Sequence, residues 1–170
     1  MIAGSGPEEE RLRSQARQLG ADSVIFAGQV SDNEKQALLA NCEVFVLPSH
    51  LRSEAFGMVL LEASMHAKPL VCCDIGSGMS YVNKDGETGL LVPPENSEAL
   101  AAALNKLLSD EDLRKRMGRA ARDRFISRFT DEVLGESYTR LYYDVLNRHR
   151  YGTISPRPGP SQPGQHFKPR

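Results

Sequence analysis

The sequence of 170 residues has no tryptophan, only 6% aromatic residues, three cysteines and no apolar run approaching the length of a membrane span. Each scarcity removes a class of function. Apolar runs such as Val44–Leu47 are far shorter than the ~20 residues a bilayer helix needs. Cys42, Cys72 and Cys73 are odd in number and two are adjacent, which fits neither a disulfide framework nor the C-x2-C spacing of a zinc site. They read as small buried hydrophobes in a reducing compartment. The opening Met1-Ile-Ala-Gly-Ser-Gly-Pro7 lacks the basic start and apolar stretch of a secretion signal, so a cytoplasmic setting is expected. His50, His66, His149 and His166 show no metal-ligand spacing, and no metal is expected.

Charge is nearly balanced, 21 basic against 22 acidic residues, yet unevenly distributed. Residues 1–147 carry 16 basic and 22 acidic side chains, a net −6, and the remaining five basic residues lie at 148–170. An acidic body without tryptophan argues against a nucleic-acid partner. What is present is an ordinary globular composition, 40% hydrophobic and 25% charged, at about the length of one domain. The last 20 residues hold five of the ten prolines and three glycines, a composition expected to stay disordered. The expected organisation is a folded domain at 1–147 and a basic Pro/Gly-rich tail at 148–170.

Helical periodicity is found at Pro7–Leu19, Asp32–Ala40, Gly57–Ala67, Ser97–Leu108, Glu111–Ile126 and Asp131–Asn147. Short apolar runs separate the earlier ones: Val24–Phe26, Val44–Leu47, Leu70–Cys73 and Leu90–Val92. Pro7 suits a first helical position, Asn96 and Thr130 suit N-caps, and Pro69 stops a helix before a strand. Short, uniformly apolar strands alternating with helices imply an α/β fold, a Rossmann-like parallel sheet covered on both faces, followed by a helical C-terminal extension. Met1-Ile2-Ala3 before a Gly-Ser-Gly-Pro turn reads as the end of a first strand, so the chain is expected to be one half of a larger protein.

Ligands of such sheets bind beyond the carboxyl ends of the strands. The candidate loops are therefore Gly4–Gly6, Gly28–Ser31, Pro48–Gly57 and Asp74–Ser80. Gly4-Ser-Gly6 lacks the third glycine of a dinucleotide cradle and reads as a tight turn. Gly76-Ser-Gly78 lines a pocket or simply permits a turn. Asp85-Gly86 and Thr88-Gly89 read as turn chemistry. His66, near a helix end, reads as a partner of the helix dipole. The basic series from Arg114 to Arg128 reads as a solvated helix face, with peripheral attachment at the inner face of a membrane as the alternative.

Pro48–Gly57 is the most informative loop. A helix starting near Phe56–Gly57 aims free N–H groups and its positive dipole end at whatever lies over the preceding strand, and a diphosphate suits that position. Glu54 precedes those amides and Glu62 lies eight residues on, roughly 12 Å if the span were all helix. Carboxylates accept hydrogen bonds from vicinal sugar hydroxyls, so one glutamate is suited to a hexose and the other to a ribose.

The segment Glu54-Ala-Phe-Gly-Met-Val-Leu-Leu-Glu62 resembles the E-x7-E motif of retaining glycosyltransferases of family 4, group 1. Gly4-Ser-Gly-Pro7, Phe26-Ala-Gly28, Ser31-Asp32, Val44-Phe-Val-Leu-Pro48-Ser49, Lys68-Pro69-Leu70-Val71 and Asp85-Gly-Glu-Thr-Gly-Leu-Leu-Val-Pro-Pro94 match in the same order. The resemblance covers residues 2–147 and implies the C-terminal, donor-binding half of a GT-B enzyme. It implies Glu54 as the catalytic group on the donor sugar. Backbone groups of Phe56, Gly57 and Met58 would lie on sugar and β-phosphate, Glu62 on the ribose, and Gly28, Val30 and Ser31 beside the base. Leu51–Gly57 and Cys73–Asn83 look most like bacterial O-antigen mannosyl- and D-rhamnosyltransferases, implying a GDP-linked donor. The expected partners are that nucleotide sugar and a glycan or lipid-linked acceptor read by an N-terminal half. The resemblance implies that the diphosphate clamp, an arginine and a lysine in the loop after the first strand of this donor half, lies upstream of Met1 together with the N-terminal half. The chain is therefore expected to bind donor weakly and to transfer nothing alone. No cofactor is implied. A non-catalytic nucleotide-sugar-binding subunit is the alternative.

Overall fold

A computed structural model describes residues 1–151, with side chains described through Asn147. Two compact units are present, Met1–Phe129 and Thr130 onward. The first contains β1 (Ile2–Ala3), α1 (Glu9–Gln18), β2 (Phe26–Gly28), α2 (Asp32–Asn41), β3 (Phe45–Leu47), α3 (Met58–Met65), β4 (Leu70–Cys73), α4 (Met79–Val82), β5 (Gly89–Val92), α5 (Ser97–Ser109) and α6 (Glu111–Arg128). The second contains α7 (Asp131–Tyr151). All strand pairs are parallel, in two ladders: β1 with β2, and β3–β4–β5 in that order. The expected alternation of strands and helices is present, and all strands of a ladder send their C-terminal loops to one edge.

The core is organised around β4. Its side chains alternate between faces as the pleat requires. Leu70 and Cys72 pack with Leu39, Leu60, Leu61, Ala63, Met79 and Val82, whereas Val71 and Cys73 pack with Val92, Ala103, Leu107, Leu113 and Met117. Helices therefore cover both faces. The adjacent cysteines point opposite ways and are free, and burial pushes the Cys72 thiol up to about 11. Uniform burial, expected for every strand, holds for β4 alone; β1 is exposed and β3 half-buried. The reason is position: among the described residues only β4 has a hydrogen-bonded strand on each side.

Several local expectations change. Pro7 lies ahead of α1, whose N-cap is Glu8 and first residue Glu9. The strand expected at Val24–Phe26 is shifted to Phe26–Gly28. Helix α4 went unrecognised because four residues are too few for a periodicity. It leads into a buried polar turn in which Asn83 Nδ2 donates to the carbonyls of Leu70 (3.4 Å) and Leu90 (3.2 Å), and Thr88 Oγ1 donates to Asn83 Oδ1 (2.9 Å). The structural reading of Asp85–Gly89 therefore holds. Asn96 and Thr130 cap as expected, accepting from the amides of Ala99 (2.9 Å) and Val133 (3.4 Å).

The basic series on α6 is only partly a solvated face. Arg116, Arg119, Arg122 and Arg128 are exposed. Arg114 instead reaches Glu43 (2.8 Å) and the last carbonyls of α5, and Arg124 caps α4 through the carbonyls of Tyr81 (2.6 Å) and Val82 (3.2 Å). Long basic stems fold back because helix C-termini offer unpaired carbonyls.

Helix α7 continues past Asn147 to Tyr151, and its periodic side chains Leu134, Tyr138, Leu141 and Val145 are at least half exposed. The tail expected to be disordered lies, from residue 152, outside the described residues. No helix among the described residues is long and apolar enough to cross a membrane.

Candidate functional site

The Pro48–Gly57 loop leaves β3 and ends at the N-terminus of α3. Gly57 is the N-cap, in the left-handed region at φ 78°, and a β-carbon there would lie 2.8 Å from Leu60 Cδ1. The positive φ favours glycine, and the close Leu60 methyl would have to shift for any larger residue. Glu54 folds back so that its Oε1 accepts from the Gly57 amide at 3.0 Å. The sequence implied that this amide is free; in the structure a carboxylate of the same loop occupies it. The first-turn amides of Met58 and Val59 are the ones the helix itself leaves unpaired. Met58 is exposed, whereas the Phe56 ring turns inward against the core and meets Phe129 edge-on at 6.2 Å, so Phe56 offers the site its backbone.

An open cleft of ≈ 320 Å³ adjoins Glu54, lined by Ser49, His50, Leu51, Ser53 and Glu54. That volume is at the low end for small-ligand pockets. Gly78, from the loop after β4, backs the same segment. Its amide donates to Ala55 O at 2.8 Å, and a β-carbon on it would lie 2.6 Å from Phe56 Cδ2. Of the alternatives for Gly76-Ser-Gly78, the turn is the one observed: Gly76 adopts φ 64°, Gly78 supports the loop that carries Glu54 from behind, and neither is among the residues lining the cleft.

Glu62 lies one helical turn beyond Met58, about 6 Å along α3. It is half-buried and paired with Lys35 of α2, whose Nζ lies 3.1 Å from Oε1 and 3.0 Å from Oε2. The Glu62 carboxylate, and then Asp32, hold the Lys35 ammonium above the ordinary lysine value. Lys35 escaped the sequence reading, although Ser31-x-x-Glu34 just before it has the spacing of a capping box. The box is formed: Ser31 Oγ accepts from the Glu34 amide (3.3 Å), and Glu34 Oε2 accepts from the Ser31 amide (2.8 Å) and hydroxyl (2.7 Å). Those bonds, side chain first, hold Glu34 below its usual carboxylate range. Ser31, expected beside a base, therefore spends its hydroxyl on the helix start. Gly28, at φ 66°, and half-buried Val30 form the rest of that loop.

His66 is the C-cap residue of α3 through its backbone, and its imidazole Nε2 pairs with Gln36 Oε1 at 2.7 Å. The structure thus brings Glu54, Phe56, Gly57, Met58 and Glu62 together along one helix start, with the β2–α2 segment tied to them through Lys35.

Residues 1–124 match the family described as Glycosyl transferases group 1. The chain belongs to that family. It is 42% identical over 146 residues to O-antigen chain mannosyltransferase C of Escherichia coli, covering 86% of this chain and 39% of that protein. To D-rhamnosyltransferase WbpZ of Pseudomonas aeruginosa it is 45% identical over 130 residues, covering 76% and 34%. The chain therefore spans less than two fifths of the length of these curated relatives. Among solved structures, sucrose-phosphate synthase from Thermosynechococcus elongatus superposes with a TM-score of 0.73 at 28% identity, covering 85% of this chain and 37% of that one. The α/β architecture read from the strand–helix alternation is thus that of GT-B glycosyltransferases, as the resemblance implied.

Proposed function

We propose that this chain is the donor-binding half of a retaining hexosyltransferase that uses a nucleoside-diphosphate sugar, GDP-linked mannose or D-rhamnose. The observation that carries this reading is the arrangement along α3. A carboxylate stands at the helix N-terminus over an open cleft, and a second carboxylate lies one turn on. An anionic diphosphate is favoured at the helix start by the macrodipole and by unpaired amides. In this reading Glu54 engages hydroxyls of the hexose, backbone groups at Phe56–Met58 meet sugar and β-phosphate, and Glu62 accepts from the ribose diol. Gly28, Val30 and Ser31 border the base. The names of the two bacterial relatives support a mannose-type hexose.

In the transfer, the bond from the anomeric carbon to the diphosphate oxygen breaks and a bond to the acceptor hydroxyl oxygen forms. The acceptor's proton leaves with the nucleoside diphosphate. Stabilising the charge that grows on the diphosphate is the main task of the protein, and amides fixed in advance do so without reorganising. No resident metal or cofactor is part of this reading. The acceptor, a glycan or lipid-linked sugar, is read by chain outside these residues, and the donor half alone transfers nothing.

Glu62→Ala is expected to weaken GDP binding roughly tenfold, the scale of a charge-assisted hydrogen bond. Ligand-observed NMR, which tolerates weak complexes, checks it. Affinity equal to that of the parent chain would remove Glu62 from the ribose site.

A further inference from the structure

We propose that Lys35 is the positioning residue of the nucleotide site, holding the Glu62 carboxylate in the orientation that presents Oε1 to a hydroxyl of the ribose diol. The inference rests on the reading of Glu62 given above. It comes from the geometry of the pair. The side chains of Lys35 and Glu62 retain only 32% and 29% of their exposure, so the pair is partly withdrawn from water. Glu62 Oε2 is buried and accepts no hydrogen bond from the described residues; its charge is met by the ammonium 3.0 Å away. Oε1 accepts the hydrogen bond from Nζ at 3.1 Å and keeps its second lone pair for a ligand hydroxyl. One ammonium therefore compensates the buried oxygen and fixes the plane of the carboxylate.

Lys35 is itself held in place. The Ser31–Glu34 capping box fixes the first turn of α2, which sets the direction from which residue 35 leaves the helix. Asp32, almost fully exposed, flanks the ammonium at 3.2 Å from the solvent side. Without Lys35 the buried oxygen of Glu62 would be left uncompensated. Such a carboxylate turns outward to water, which spoils its aim.

The experiment measures Kd on the full chain for GDP and for 2′,3′-dideoxy-GDP, which lacks the diol. Lys35→Met, close in shape and uncharged, is compared with Glu62→Gln, the double variant and Lys35→Arg. The expected result is a loss of about tenfold for GDP in Lys35→Met with no change for the dideoxy nucleotide. The double variant should bind GDP no more weakly than Glu62→Gln. Lys35→Arg should recover most of the affinity, because a guanidinium supports both carboxylate oxygens. A merely structural role would lower affinity for both nucleotides alike, and so would direct contact of Lys35 with phosphate; either outcome overturns the positioning role. Unchanged GDP affinity in Lys35→Met beside a weakened Glu62→Gln also overturns it, leaving the Glu62 assignment intact. If Glu62→Gln itself binds GDP normally, the assignment of Glu62 fails first. Lys35→Gln carries the same comparison if the methionine variant fails to fold.

Discussion

Replacing Gly118 with alanine is expected to destabilise the first unit by about 3 kcal/mol. Intrinsic preference predicts the opposite sign, since alanine in a helix interior is favoured over glycine by about 1 kcal/mol. Contact geometry decides. A β-carbon on Gly118 would lie 2.0 Å from the carbonyl oxygen of Ala67 and 3.0 Å from its carbon. Neither side yields cheaply. Ala67 already adopts φ 55°, unusual for a residue with a β-carbon, in the link from α3 to β4. Its amide donates to Ser64 O at 2.9 Å, and the next amide donates to Ala63 O at 3.2 Å. Relief therefore requires α6 to move off α3, the helix that carries the candidate site. The melting temperature should fall by on the order of 10 °C. A melt that rises instead would mean that α6 and α3 pack differently.

Glu54→Gln is expected to depress turnover by roughly 10²–10³-fold in an enzyme that includes the acceptor-binding half, the scale of one transition-state-stabilising group. The glutamine oxygen still accepts from the Gly57 amide, so the bond that holds the loop at the start of α3 survives and the melting temperature should change little. Nucleotide affinity should also hold, because in this account backbone groups at Phe56–Met58 meet the β-phosphate and Glu62 holds the ribose. Steady-state rates compared with GDP binding check both parts. Turnover within threefold of the parent enzyme would remove Glu54 from the reacting centre.

These expectations rest on features legible to different degrees in the sequence. The α3 start was readable because Pro48-Ser49 ends an apolar run and Phe56-Gly57 opens a helical period. Both are local signals, and the observed N-cap is Gly57. The location of Glu54 and Glu62 on that start followed from the same punctuation. What the sequence could not reveal is how these groups are already engaged. Glu54 bonds the amide that a phosphate was expected to meet, and Glu62 is held by a lysine 27 positions away. Long-range pairings leave no periodic trace, so Lys35 looked like any surface lysine. Arg114 and Arg124 were misread for the same reason, because their carbonyl partners belong to other helices. The weak burial of β1 and β3 was likewise hidden, since an apolar run does not disclose which strand is central.

The most direct measurement of the donor-site account is an amide-shift map of the chain titrated separately with GDP, UDP and ADP. The account predicts that GDP moves the amides of Phe56, Gly57, Met58 and Glu62 together with those of Gly28–Ser31, and that UDP and ADP move them less. Larger shifts with UDP at the same residues would keep the site and contradict the GDP-linked donor. Shifts confined to other segments, or none with any nucleotide, would contradict the donor-site reading itself.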